Sequence, residues 1–233
     1  APPDRLAVDS PVSLLPAMSR PQTGMRRAAV GPVRRILMLH GAAADAELQL
    51  MLLEAMGWAP HGAPLQLRGG RCSIEFVCID APAPSPPKPE LFRGLYERGL
   101  YAKAEYRCWR LNGALGGAGT SAADVEHVCR LMQANAPSHG VGGFCDGALV
   151  AALVAARGTL DDTLRPGVPL LRCYLNLCGA PASRFVPCDA FRVGRGVRSL
   201  HVIGLADEMY TQSELLELPG RCDGAELYYH RGH

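Results

Sequence analysis

The sequence lacks the marks of several protein classes. It has no apolar run long enough to cross a bilayer, so we expect no membrane span. Its net charge is only +2 over 233 residues, so the overall balance does not favour binding to nucleic acid or to a membrane surface. It also has no internal repeat, which argues against a repeat architecture.

The nine cysteines form no Cys-x-x-Cys pair and show no zinc-like spacing with histidine. We therefore expect no metal and no other cofactor. An odd number of cysteines in a chain of this length is typical of reduced, mostly buried thiols in an intracellular protein, rather than of a disulfide framework. We accordingly predict an intracellular location.

Residues 1–35 contain no lysine and only two acidic residues, while proline, serine and alanine fill much of the remainder. The basic residues of this segment are arginines: Arg5, Arg20, Arg26, Arg27, Arg34 and Arg35. A remnant of a mitochondrial or other organellar presequence has this composition, and so does an ordinary basic tail or a cloning boundary. We predict a basic, Pro/Arg-rich tail over residues 1–35 that contacts other protein subunits.

The rest of the chain, residues 36–233, alternates strand patterns with helix patterns. The composition of the whole chain, 48% hydrophobic and 20% charged residues, suits one α/β domain, and the alternation predicts a mostly parallel sheet flanked by helices. The predicted strands are 36–39, 72–79, 141–144, 171–177, 200–203 and 225–229, and the predicted helices are 46–58, 121–135, 148–157 and 211–218. Residues 82–120 are predicted to form a small cap, and the proline-dense stretch 82–89 is predicted to lack regular structure.

One segment indicates chemistry: Gly143-Phe144-Cys145-Asp146-Gly147, between a short apolar run and a stretch of helix formers. An apolar run, Gly-x-nucleophile-x-Gly and a helix, in that order, describe a nucleophile elbow. The two glycines suit a sharp turn in which neighbouring backbone comes too close for a Cβ atom. The central residue here is a thiol, which predicts an acyl-transfer site with Cys145 as the nucleophile.

The chain also supplies the other parts of such a site in the order that α/β-hydrolases use, namely nucleophile, acid and histidine. Asp207 and His233 each follow a predicted strand, as Cys145 does, and open α/β sheets place their sites at the carboxyl ends of strands. We predict a Cys145–His233–Asp207 triad. The oxyanion donors would be the backbone N–H groups of Ala42 and Asp146.

These segments resemble the FSH branch (family of serine hydrolases) of the α/β-hydrolases. The matching stretches are 39–41 (LHG), 76–82 (FVCIDAP), 107–109 (RCW), 141–148 (VGGFCDGA), 200–207 (LHVIGLAD) and 230–233 (HRGH). The resemblance implies an α/β-hydrolase fold and a small acyl ester or thioester as substrate, including acyl chains released from carrier proteins. In this family the closing motif ends in the histidine, here His233, with His230 as the fallback base.

Two departures from the family pattern leave alternatives open. Cys145 replaces the serine that is usual in the family, and dienelactone hydrolase also has a cysteine at this position. Asp146 replaces the usual glutamine, and its carboxylate opposes negative charge on the sulfur and on an oxyanion. The alternative is a weak or inactive hydrolase-fold subunit of a larger, organellar assembly, with the tail and cap buried against neighbouring chains. A redox role would need a second cysteine near Cys145, and none is near in sequence.

Overall fold

The alternating strands and helices fold into a seven-stranded sheet with helices on both faces, beside a two-stranded ribbon. The computed structural model describes residues 31–59, 63–67, 72–109, 120–159, 171–186 and 191–231. Its strands are β1 (Val33–Leu39), β2 (Leu65–Gln66), β3 (Ser73–Ile79), β4 (Ala83–Ser85), β5 (Tyr106–Cys108), β6 (Gly140–Phe144), β7 (Cys173–Leu177), β8 (Arg198–Gly204) and β9 (Glu226–His230). Its helices are α1 (Ala46–Ala55), α2 (Arg93–Tyr96), α3 (Thr120–Ala134), α4 (Asp146–Thr159), α5 (Gln212–Leu215) and α6 (Glu217–Gly220).

The sheet has the order β2-β3-β1-β6-β7-β8-β9. All neighbouring pairs from β3 to β9 are parallel, and β2 joins β3 antiparallel at the edge. This confirms the predicted mostly parallel sheet flanked by helices. Because β6, β7, β8 and β9 are parallel neighbours, their carboxyl ends meet at one edge, and the loops that follow them share that edge.

The alternation within β1 explains why helices cover both faces of the sheet. Leu37 and Leu39 belong to the core on the side of α3 and α4, while Ile36 and Met38 pack on the opposite side with α1. Successive strand residues point to opposite faces, so an uninterrupted apolar strand needs a cover on each. The described side chains of the central helix α4 are almost all buried. Burial of a leucine such as Leu149 contributes about 1.5–3 kcal/mol to the free energy of unfolding.

The predicted boundary between tail and domain at residue 36 needs a correction, because β1 begins at Val33. Arg34 and Arg35 are therefore strand residues. Arg35 lies opposite Glu75 of β3, and its Nε donates a 2.6 Å hydrogen bond to that carboxylate. The two arginines near the start of β1 interrupt its apolar pattern, so the strand was predicted to begin at residue 36. The predicted subunit contact of the tail concerns residues 1–30, which lie outside the described residues.

The prediction that residues 82–89 lack regular structure was wrong for β4, which contains Pro84 and pairs antiparallel with β5. The partner of Pro84 is Arg107, whose own N–H donates to the carbonyl of Ala44 instead, at 2.7 Å. The pair Pro84–Arg107 therefore exchanges no ladder hydrogen bond, and a residue without an N–H is tolerated there.

The ribbon and α2 form the described part of the predicted cap, and residues 110–119 lie outside it. Tyr101 fastens this cap to the sheet edge: its ring stacks 4.2 Å from that of Tyr106, and its hydroxyl donates to the carbonyl of Ala43 at 2.7 Å. The same hydroxyl accepts from the N–H of Lys88 at 2.9 Å. The cap is thus held over the loop that follows β1.

A buried histidine below this edge gives the fold a pH dependence. His201 of β8 is fully buried, and its Nδ1 accepts a 2.9 Å hydrogen bond from the side-chain amide of Asn176. Burial lowers the pKa of His201 from 6.5 to about 4. Between these two values the unfolded chain binds the extra proton and the folded chain does not. The unfolding free energy should therefore rise with pH across this window, by about 3 kcal/mol from this residue.

Urea unfolding between pH 4 and pH 7 measures this dependence. His201→Gln should reduce it, leaving the contributions of His40 and His139, whose pKa values burial also lowers. The matched control is His127→Gln, which replaces a partly exposed histidine on α3, and the reduction is assigned to His201 if it is larger in His201→Gln than in this control. An unchanged slope in His201→Gln would contradict this account.

Candidate active site

The predicted strand, turn and helix around Cys145 are present, with β6 entering the turn and α4 leaving it. Cys145 has φ 51°, in the left-handed region that residues with a side chain seldom adopt. A Cβ at Gly143 would lie 2.3 Å from the backbone of Gly147, and one at Gly147 would lie 2.4 Å from the carbonyl oxygens of Leu39 and His40. The turn therefore requires glycine on both sides of the cysteine.

The sulfur of Cys145 lies among polar groups. The backbone N–H groups of Asp146 and Ala42 hydrogen-bond to it, and the Tyr210 hydroxyl lies 3.4 Å away. The thiol also donates to Oδ1 of Asp146, at 3.7 Å. These two amides are the ones that the sequence predicts as oxyanion donors.

Burial raises the pKa of the Cys145 thiol to about 12, and the nearby carboxylate of Asp146 adds to the rise. The Tyr210 hydroxyl and the two backbone amides oppose it. Burial also raises the pKa of Asp146. The resting site therefore holds a protonated thiol, and any attack by the sulfur requires a base that removes its proton.

Asp207 follows β8, in the loop after Gly204. Its Oδ1 accepts hydrogen bonds from the N–H groups of Met209 at 2.8 Å and Tyr210 at 2.9 Å. Because the carboxylate organises this turn, it also sets where the Tyr210 side chain stands. Asp207, Tyr210 and Cys145 line the same cavity.

The histidines occupy different positions. His233, the predicted base, lies outside the described residues. His230, the fallback base, ends β9 and its Nε2 lies 3.8 Å from the sulfur of Cys178 rather than bonded to Cys145. His40 is fully buried, with Nδ1 donating to the carbonyl of Gly41 and Nε2 accepting from the N–H of Ala81. Both nitrogens of His40 are used, so it is structural.

A cavity of about 470 Å³ opens beside Cys145. Most of its walls are apolar, contributed by α1, the cap and the loop after β8, and two guanidinium groups stand in its lining. The large apolar residues of the lining are Leu52, Met56, Leu91, Phe92, Leu95, Phe144 and Met209. The two guanidinium groups belong to Arg93 and Arg98. Such a space can hold an apolar chain with its reacting end at the sulfur.

A match to a protein family model shows which family the chain belongs to. A family model described as Serine hydrolase (FSH1) matches residues 30–233. The chain belongs to this serine hydrolase family.

A curated relative of this chain is the bovine (Bos taurus) Esterase OVCA2. The two are 32% identical over 109 residues, which are 46% of this chain and 47% of the relative. The chain thus matches about half the length of this relative.

Solved structures with low sequence identity show the same fold. Acyl-protein thioesterase 2 of Zea mays has a TM-score of 0.51 at 17% identity, covering 89% of this chain and 88% of that one. RedJ, solved with a PEG molecule bound in its active site, has a TM-score of 0.50 at 12% identity, covering 94% and 87%. At these identities the likeness establishes the α/β-hydrolase fold alone.

Two cavity residues were not predicted. Tyr210 stands three positions after Asp207, and its role at the sulfur depends on the turn that Asp207 builds. Cys178 was covered only by the general expectation of mostly buried thiols, yet it lines the cavity directly after β7. The rule that sites gather at the carboxyl ends of parallel strands could have found Cys178.

Backbone strain is concentrated at this edge of the sheet. Among the described residues, the non-glycine residues with positive φ are Ala43, Cys145 and Cys178, at 49°, 51° and 44°. Each such residue costs of order 1–3 kcal/mol and is typical of functional sites.

Within the described ranges no cluster of three or more potential metal ligands occurs, and no helix is long and apolar enough to cross a membrane.

Proposed function

We propose that this serine hydrolase family member cleaves carboxylic esters or thioesters with apolar acyl groups, using Cys145 as the nucleophile. One observation carries the proposal: the Cys145 sulfur stands on a strained elbow at an apolar cavity, with the N–H groups of Ala42 and Asp146 directed at it. The names of the bovine esterase and the maize thioesterase agree with this substrate class.

In the proposed reaction His233 accepts the thiol proton as the sulfur attacks the acyl carbon, and Asp207 orients the imidazole. The amides of Ala42 and Asp146 stabilise the oxyanion, the leaving group takes the proton from the imidazolium, and water then releases the acid. A base is needed because burial holds the pKa of the resting thiol at about 12. The roles of His233 and Asp207 rest on chain order and the family motif.

The acyl group would lie in the apolar cavity. Its walls remove water from the chain, and burial stabilises binding by about 0.8 kcal/mol for each methylene enclosed. Leu52, Phe92 and Met209 come from α1, the cap and the loop after β8, respectively. A chain held by all three would keep its carbonyl carbon near Cys145.

Asp146 should limit the reactivity of the thiol, which predicts that Asp146→Gln makes Cys145 more reactive. Removing the carboxylate removes a repulsion on the thiolate, so the pKa of Cys145 should fall. A fall of one unit raises the thiolate fraction about tenfold below the pKa. The measurement is the iodoacetamide alkylation rate of Cys145 between pH 7 and pH 9, determined by mass spectrometry of tryptic peptide 131–157.

The matched control is Asp146→Glu, which keeps the charge and should react close to the wild-type rate. Slower alkylation of Cys145 in Asp146→Gln would show that the carboxylate assists the thiol instead of restraining it.

The second candidate is a non-catalytic subunit on the same scaffold, in an organellar assembly. The observation that favours it is the environment of the sulfur: a buried thiol with a raised pKa, bonded to a phenol and a carboxylate. The two candidates separate in one assay. Hydrolysis of p-nitrophenyl butyrate or an acyl thioester by the purified chain supports the enzyme, and its absence supports the subunit.

A further inference from the structure

A second thiol stands at the cavity. Cys178 follows β7, directly beyond the registered pair Phe144–Leu177 that precedes Cys145 on the neighbouring strand. Its N–H donates to the carbonyl of Val202 at 2.9 Å, and its φ of 44° accompanies a side chain that lines the cavity. The sheet register therefore brings together two cysteines that are 33 positions apart in sequence.

Cys178 has the chemical partners of a reactive thiol. Its sulfur lies 3.8 Å from Nε2 of His230, at the end of β9. Burial raises the pKa of the Cys178 thiol and Asp207 adds to the rise, while the backbone N–H of Gly204 hydrogen-bonds to the sulfur and opposes it. Attack by this sulfur therefore requires a base, as at Cys145. An imidazole in contact with a thiol can accept its proton when the sulfur attacks.

These contacts distinguish Cys178 from Cys145 and Cys173. Cys145 has Tyr210 and Asp146 as side-chain partners among the described residues, and neither is a base that readily removes a thiol proton. Cys173 lies on β7 outside the cavity, and its sulfur contacts the carbonyl of His139 at 3.9 Å. The pair Cys178–His230 therefore combines a nucleophile, a base and an apolar space.

We propose that Cys178, with His230 as its proton acceptor, is a covalent modification site for α,β-unsaturated carbonyl compounds that carry an apolar group. The apolar group would enter the cavity, and the electron-poor carbon would meet the sulfur at the carboxyl edge of β7. The reacting sulfur is that of Cys178 and not that of Cys145, although both residues line the same cavity, and the reaction needs no hydrolase activity.

The reaction adds the S–H group across the carbon–carbon double bond. His230 Nε2 takes the thiol proton, the sulfur bonds to the β carbon, and the π electron pair moves to form an enolate. The enolate then takes the proton back from the imidazolium at the α carbon. No oxidant or other reactant is required.

N-ethylmaleimide is a suitable probe because it is a small α,β-unsaturated carbonyl compound. Trypsin releases Cys173 and Cys178 in one peptide, residues 173–184, and Cys145 in another, residues 131–157. Fragment ions separate Cys173 from Cys178, so Cys173 is an internal control. We expect Cys178 to be labelled faster than Cys173, and His230→Gln to slow the labelling of Cys178 about tenfold or more.

His127→Gln is the matched histidine control and should leave the labelling of Cys178 unchanged. A measurement on the wild-type chain covers the case in which His230→Gln fails to fold: N-octylmaleimide should label Cys178 faster than N-ethylmaleimide does, with no such gain at Cys173. The proposal is overturned if Cys178 reacts no faster than Cys173, or if folded His230→Gln labels at the wild-type rate. Neither readout depends on ester hydrolysis.

Discussion

Cys145→Ala is expected to lower kcat/KM for p-nitrophenyl butyrate by about a thousandfold or more, because it removes the atom that would form the bond to the acyl carbon. The two amides directed at the sulfur and the apolar cavity remain in this variant. Substrate binding should therefore survive, and the loss should appear in kcat rather than in KM.

The matched control is Cys129→Ala. Cys129 is buried to a similar degree, 6% exposed against 8% for Cys145, but it lies on α3 in the core. Its replacement should leave kcat nearly unchanged. If Cys145→Ala hydrolyses the ester at the wild-type rate, the proposed nucleophile is wrong and hydrolysis arises elsewhere in the chain.

Gly143→Ala is expected to lower the free energy of unfolding by about 3 kcal/mol or more. The new Cβ would lie 2.3–2.5 Å from backbone atoms of Gly147 and Ala148. These atoms belong to the start of α4 and cannot move aside as a side-chain tip could. The clash must therefore shift β6 or α4, both of which are in the core.

Urea unfolding followed by circular dichroism measures this loss. The control is Gly220→Ala at the end of α6, where an added Cβ meets nothing within 4 Å. That change should be neutral or stabilise the fold by up to about 1 kcal/mol. Equal stabilities of the two variants would mean that the elbow is looser than this geometry requires.

The elbow was the part of the site most accessible from sequence. Gly143, Cys145 and Gly147 are close neighbours in the chain, so their spacing reflects a local steric constraint. The structure shows this constraint as the close backbone contacts at both glycines. The sheet was similarly accessible, because each buried strand is a short apolar run. The pairing of β4 with β5 was not, since β4 contains Pro84 and the N–H of its partner Arg107 donates to Ala44, in a distant segment.

The surroundings of the sulfur could not be predicted in the same way. Tyr210 lies 65 positions from Cys145, and whether its hydroxyl reaches the sulfur depends on the turn that Asp207 organises. The contact between Cys178 and His230 spans 52 positions and two strand crossovers. Small changes in strand register would move either side chain by several ångströms without altering the sequence pattern.

The amino-acid sequence by itself determined the strand–helix alternation, the strained turn at Cys145 and the family to which the chain belongs. All three are encoded in patterns of neighbouring residues. The tertiary structure decided which side chains meet at the carboxyl edge of the sheet, and in which direction burial moves their pKa values. Strand order and register set those distances, and desolvation depends on everything packed around a group.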